Sequence, residues 1–148
     1  MISRIELGHE KIDAFSQWIG SRPFIFLGSD KDSAVRSRFD IAHELGHLLL
    51  HTHVDQEDLK DPKVLKRIEK EAHYFVGAFL LPEDSFAQEV TSISIDHFIS
   101  LKKRWKVSIA SMIYRCDELG IFTDNKILYL NKQMSYRKMR KKNLLMMY

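Results

Sequence analysis

The chain has 148 residues, 45% of them hydrophobic, which is enough for one real core, or one core with a small satellite, but not for two full domains. Its single cysteine, Cys116, excludes an internal disulfide and a cysteine-based metal cluster and fits a reducing compartment; with no apolar run long enough to cross a bilayer and no signal-peptide core, a cytoplasmic protein without a membrane partner is expected. The net charge of +3 is uneven, because Lys132, Arg137, Lys138, Arg140, Lys141 and Lys142 fall in residues 132–148 with no acid among them, leaving residues 1–131 at −3. Such a basic tail is usually a solvated terminus, although it can also touch nucleic acid or an acidic partner.

In chain order, residues 8–19 carry Ile12, Phe15, Trp18 and Ile19 at helical spacing and predict a helix stopped by Gly20. Residues 23–28 (PFIFLG) predict a short strand from their aromatic and β-branched content. The polar run Ser29-Asp30-Lys31-Asp32-Ser33 offers caps for a long helix ending near His51. Residues 51–58 read as a polar loop, Pro62 as a first-turn helix former, and residues 64–80 as a second long helix closed by Pro82. Further on, residues 95–105 and 109–119 predict two helices joined at Lys106-Val107-Ser108, with Ser108 able to cap the second, which is helix-turn-helix spacing. Residues 121–130 then suggest a β-hairpin resembling a wing, with helix as the alternative. Arg115 on the second of these helices is accompanied by Asp117 and Glu118, a poor pattern for lying against phosphates, so an αα-hairpin is favoured over a DNA reader. The expected fold class is α+β, helix-dominated, with a small sheet.

The most informative residues are His43-Glu44-Leu45-Gly46-His47, inside the run RFDIAHELGHLLLH. Each helical residue turns about 100°, so two histidines four apart project from one face and can bind one ion. Glu44 lies beside them, where a carboxylate can take the proton of a metal-bound water. The apolar flanks Phe39, Ile41, Ala42, Leu45, Leu48, Leu49 and Leu50 centre on a different side, so both histidines are expected to face a cleft. Such a site needs another ligand, and IEKEAHYFVGAFLLP offers Glu69, Glu71 and His73. With Leu65, Ile68, Ala72, Phe75, Val76 and Phe79 taken as the buried stripe, Glu69 falls roughly 50° from its centre and Glu71 about 110° away, toward solvent. Glu69 is therefore expected to be the ligand, Glu71 a solvated residue, and His73 a hydrogen-bond partner of a ligand or, alternatively, a third histidine ligand. His51, His53, Tyr74 and His97 could help stabilise an oxyanion but read as ordinary surface or cap residues.

At these residues the chain resembles the ImmA/IrrE family of zinc metallopeptidases. The resemblance runs from Arg22 to Phe122 and includes RPFIFLG, RFDIAHELGHLLLH, EKEAHYFVGAFLLP and LKKRWKVSIASMIYRCDELGIF. The family's second helix has the form E-x-x-A-N-x-F-A, which places the glutamate ligand at Glu69; here the Asn position is His73, and Val76-Gly77 stands at the second Ala. What the resemblance implies is a gluzincin-like protease cutting a transcriptional repressor and so releasing genes of a mobile element, prophage or stress response. Some members carry an N-terminal helix-turn-helix domain, so the chain may be compared with the peptidase part of such a protein or a fragment of one.

The resulting expectation is a zincin-like core over residues 1–93 and a helical, helix-turn-helix-like subdomain with a basic tail over residues 94–148. One Zn2+ per chain is held by His43, His47 and Glu69, and Glu44 is the catalytic base and then proton donor to the leaving amine. The partner is a protein substrate, a helix-turn-helix repressor, with weaker support for nucleic acid. The alternative is a metal-stabilised regulatory protein that docks to a repressor or to DNA without cleaving.

Overall fold

The computed structural model describes residues 2–5, 13–28 and 33–137, the first of these as backbone. It is a helix-dominated α+β structure with strands β1 (Ile2–Ile5), β2 (Ala14–Ile19) and β3 (Arg22–Gly28), then helices α1 (Ala34–Leu50), α2 (Pro62–Leu80), α3 (Glu83–Glu89), α4 (Ile95–Trp105), α5 (Ile109–Glu118) and α6 (Asp124–Tyr136). The chain divides into two compact units, Met1–Asp32 with Ser37–Val76, and Ser33–Arg36 with Gly77–Tyr148. The division passes through α2.

In the first unit the sheet has the order β1-β3-β2. β1 runs parallel to β3, whereas β2 returns antiparallel, with Ile19 opposite Arg22 and Ala14 opposite Leu27. This corrects the expected helix over residues 8–19: residues 14–19 are strand, and residues 8–12 lie outside the described part. The apolar spacing misled because it does not mark a buried face; Trp18 is 46% and Ile19 52% exposed. What decides for strand is the two-residue Gly20-Ser21 connection. Gly20 has φ +61° while Ser21 stays out of the left-handed region, as in a tight hairpin turn with glycine first. Phe15 then stacks on its cross-strand partner Phe26, ring centroids 4.7 Å apart.

On the other face of β3, Ile25 and Leu27 are buried and join Leu48 of α1 in a core flanked by Ala14, Ile41 and Leu45. Burying each large aliphatic side chain contributes about 1.5–3 kcal/mol, so this strip fixes which way α1 faces. The buried face of α2 within this unit is Ile68, Ala72 and Val76; Leu65, expected in that stripe, is exposed, and so is Phe79 beyond the division. Gly46 lets the two helices approach closely, because a Cβ there would stand 3.0 Å from Cδ1 of Phe75.

In the second unit the serine caps expected near Ser33 and at Ser108 are present, and Ser94 adds a third. The Ser33 hydroxyl accepts from the backbone N–H of Arg36, Ser94 accepts from that of His97 and Ser108 from that of Ser111. Between α4 and α5, Lys106 takes the left-handed conformation, φ 55°, and ends α4. The expected wing is corrected: from Asp124 onward the chain is α6, because Leu130 and Met134, four residues apart, are both fully buried. Lys132 thus belongs to a helix, and Arg137 donates to Asp96 at 2.8 Å; residues 138–148, with the rest of the basic tail, lie outside the described residues. Arg115 is buried, its Nε donating to the Leu81 carbonyl and its Nη1 to Glu118, so the cation considered for phosphates is held inside this unit. Cys116 is also buried, and burial pushes its thiol up to about 12. At neutral pH it is no nucleophile.

Candidate metal centre

α1 begins on a serine cap and carries no proline or unfavourable run through residue 50, so His43 and His47 sit one turn apart on one row, as the spacing expects. Their Nε2 atoms are 3.1 Å apart. The carboxylate of Glu69, brought by α2, meets both: Oε2 lies 3.2 Å from His43 Nε2 and Oε1 3.2 Å from His47 Nε2. Both histidines are half-buried, and the glutamate is more open to solvent.

Three donors gathered this closely match the size of a metal site. Ligands about 2.0–2.1 Å from a zinc ion at tetrahedral angles stand about 3.3–3.4 Å from one another. The contacts of 3.1, 3.2 and 3.2 Å are close to that size, the two to Glu69 ending on different oxygens of its carboxylate, Oε2 toward His43 and Oε1 toward His47. The donor set fits a divalent ion that accepts nitrogen and oxygen ligands. His73 also comes to this place: with His43 and Glu69 it forms a group whose ligand atoms all lie within 4.8 Å. His73 is exposed, its ring centroid 4.9 Å from that of His43. His47 and His73 thus both stand beside the pair His43 and Glu69.

The electrostatics keep His43 in its ligating form. Burial pushes the His43 imidazole below its ordinary value and the neighbouring His47 pushes it further, while Glu69 and Glu44 pull the other way. A neutral ring has a lone pair to offer. The ring of His43 is steadied by Phe39, nearly parallel to it at 6.4 Å, and its buried Nδ1 has no hydrogen-bond partner among the described residues.

Two contacts were not legible in the sequence. Ser16 of β2 donates from Oγ to Oε2 of Glu44 at 2.5 Å; reading residues 8–19 as a helix hid it. His51, just past the end of α1, is buried, with its Nδ1 3.0 Å from Nδ1 of His47 and its Nε2 2.9 Å from Oε2 of Glu71. Glu71 is exposed, as its phase predicts, but it also meets His51, a contact the phase does not show. The usable signal was the repeat of histidine at 43, 47 and 51, one helical turn apart. His53 and Tyr74 are exposed, and His97 lies in the second unit with its Nε2 2.9 Å from the Glu89 carbonyl.

A small sheet, a helix bearing His-Glu-x-x-His and a second helix presenting a carboxylate to it define a zincin-like peptidase domain. The chain belongs to the ImmA/IrrE family: the model of Peptidase M78, the IrrE N-terminal-like domain, matches residues 1–117. No curated protein matches the chain. Among the described residues no helix is long and apolar enough to cross a membrane.

Proposed function

We propose that the chain is a zinc-dependent endopeptidase in which His43, His47 and Glu69 hold one Zn2+ and Glu44 is the catalytic base. The observation that supports this reading is the approach of the two histidine Nε2 atoms to each other and to the two oxygens of Glu69 at 3.1–3.2 Å, with the carboxylate of Glu44, next to His43 in the chain, tied by Ser16. A bound zinc supplies Lewis acidity, lowering the pKa of a water and polarising the peptide carbonyl. The chain's own part is proton handling. With one oxygen engaged by the Ser16 hydroxyl, Glu44 offers the other to the attacking water, takes its proton, and passes that proton to the leaving amine.

Among the described residues β2 is an edge strand of the sheet, paired to β3. An extended peptide adding to its other side would lie beside Glu44 through the strand that carries Ser16. The proposed substrate is a protein, and the resemblance to ImmA/IrrE peptidases supports a helix-turn-helix repressor. A neutral hydrolytic site of this kind in a protein with one inert cysteine supports metal chemistry over thiol chemistry.

Two substitutions test the assignment together. Glu69→Ala should abolish zinc uptake measured by metal analysis, while Glu44→Gln should retain one zinc per chain and the wild-type circular dichroism yet lose cleavage of a quenched-fluorescent peptide library, and of a repressor encoded by a neighbouring gene, by at least about a hundredfold. Full zinc content in Glu69→Ala removes Glu69 from the ligand set. Undiminished cleavage by Glu44→Gln removes Glu44 as the base.

A further inference from the structure

We propose that His51 and Glu71 form a positioning relay that holds His47 in the tautomer and orientation needed for metal binding. The inference rests on the ligand assignment above and adds two residues to it. The hydrogen positions follow from the partners. Glu71 offers a carboxylate oxygen 2.9 Å from His51 Nε2, and a carboxylate can only accept, so that nitrogen carries a proton. In a neutral ring His51 Nδ1 is then an acceptor. It faces His47 Nδ1 at 3.0 Å, which must donate, and this leaves the lone pair of His47 on Nε2. Nε2 is the atom that lies 3.1 Å from His43 Nε2 and 3.2 Å from Glu69 Oε1. One hydrogen occupies each gap, and the row ends with a lone pair on His47 Nε2, the atom that meets His43 and Glu69.

The placement is built for this. The backbone N–H of His51 still donates to the His47 carbonyl at 3.0 Å, so the helical phase of α1 carries through to His51 and stacks its ring one turn beyond His47. Its side chain is 5% exposed, and a buried imidazole with both nitrogens engaged cannot rotate without losing two hydrogen bonds. Glu71 projects from α2 two residues after Glu69, so the helix that supplies the carboxylate ligand also supplies the far end of the relay. Arg67 comes within 3.7 Å of Glu71 on the same helix. His43 has no equivalent support, its Nδ1 lacking a hydrogen-bond partner among the described residues. The two histidine ligands are thus held by different means, one by ring packing and one by this relay.

Metal affinity is the direct readout. Zinc dissociation constants are measured by competition with a chromophoric chelator for the wild type, His51→Ala, His51→Asn, Glu71→Ala, the His51→Ala/Glu71→Ala double variant and Glu57→Ala as a surface control, each checked for wild-type circular dichroism. Loss of a group that orients a ligating histidine weakens metal binding by about 10–100-fold. His51→Ala should fall in that range and Glu71→Ala should be weaker than wild type but less affected. The double variant should match His51→Ala alone, because Glu71 acts only through His51. His51→Asn should recover part of the loss, its amide oxygen standing near the former Nδ1. In the cobalt-substituted protein the visible spectrum of His51→Ala should shift, reporting a reoriented imidazole. Wild-type affinity in His51→Ala and Glu71→Ala overturns the relay while leaving the ligand set intact, and independent, additive losses overturn Glu71's part in it. A wild-type chain that binds no zinc removes the ligand assignment and the relay together.

Discussion

Each chemistry-bearing side chain here is held by a named neighbour, and the neighbour decides what the group can do. Glu44 illustrates this. A glutamate on a helix surface samples several rotamers, but the Ser16 hydroxyl at 2.5 Å ties one carboxylate oxygen and so restricts the rotamer, leaving the other oxygen to act as base in the proposed mechanism. A hydrogen bond to a charged acceptor is worth about 1.5–3 kcal/mol, partly recovered by water at a half-buried site. Ser16→Ala should therefore lower kcat on the order of tenfold with KM and zinc content unchanged, and Ser16→Thr should restore most of it. Equal kcat for wild type and Ser16→Ala on the same quenched peptide would show that Glu44 needs no such tether. At this scale helical phase aligned His43 with His47 on α1 and put Glu69 at the edge of the buried face of α2, and the structure brings these three side chains together. The sequence was uninformative for Ser16, on a segment whose spacing reads as helix, and for the contact of Glu71, whose phase points to solvent.

Between elements, the approach of α1 and α2 determines whether Glu69 reaches the histidines. Gly46, the fourth residue of His-Glu-Leu-Gly-His, stands where Phe75 of α2 packs, with the ring's Cδ1, Cγ and Cβ at 3.0, 3.3 and 3.4 Å from where a Cβ would be. Alanine favours helix over glycine by about 1 kcal/mol, while an extra methyl in a packed interface costs about 1–3 kcal/mol. Because three atoms of one aromatic side chain are involved, the ring cannot give way by moving its tip alone. Gly46→Ala should leave stability unchanged or lower by up to about 2 kcal/mol in denaturant unfolding, and zinc affinity should drop, since the displaced Phe75 shifts the helix carrying Glu69. A variant more stable than wild type with undiminished affinity would mean the interface has slack. The long helices were legible because strong caps and apolar phase agree, as at Ser33 and Pro62. β2 and α6 were not: Phe15, Trp18 and Ile19 match helical spacing by accident, and Ile127-Leu128-Tyr129-Leu130 fits either period until Met134 is seen buried beside Leu130.

Over the whole molecule, the three proposed ligands fall between His43 and Glu69, inside the unit Met1–Asp32 with Ser37–Val76. That unit has a small hydrophobic cluster of Ile25, Leu27 and Leu48, with partly buried neighbours around it. A bound ion stabilises the unit that holds it, since a ligand present at a hundred times its dissociation constant stabilises the state that binds it by about 2.7 kcal/mol. Because two units need not unfold as one, a single melting temperature is a poor measure, and amide hydrogen exchange resolved by peptide is the better one. Zinc at that excess should slow exchange through global opening in the peptides of α1 and of α2 up to Val76 by up to about a hundredfold, and a chelator should reverse it. Glu69→Ala, lacking the carboxylate ligand, should show the chelated rates with zinc present. If α1 and α2 exchange equally fast with and without zinc in the wild type, His43, His47 and Glu69 do not couple metal to the fold, and the ion contributes at most to chemistry.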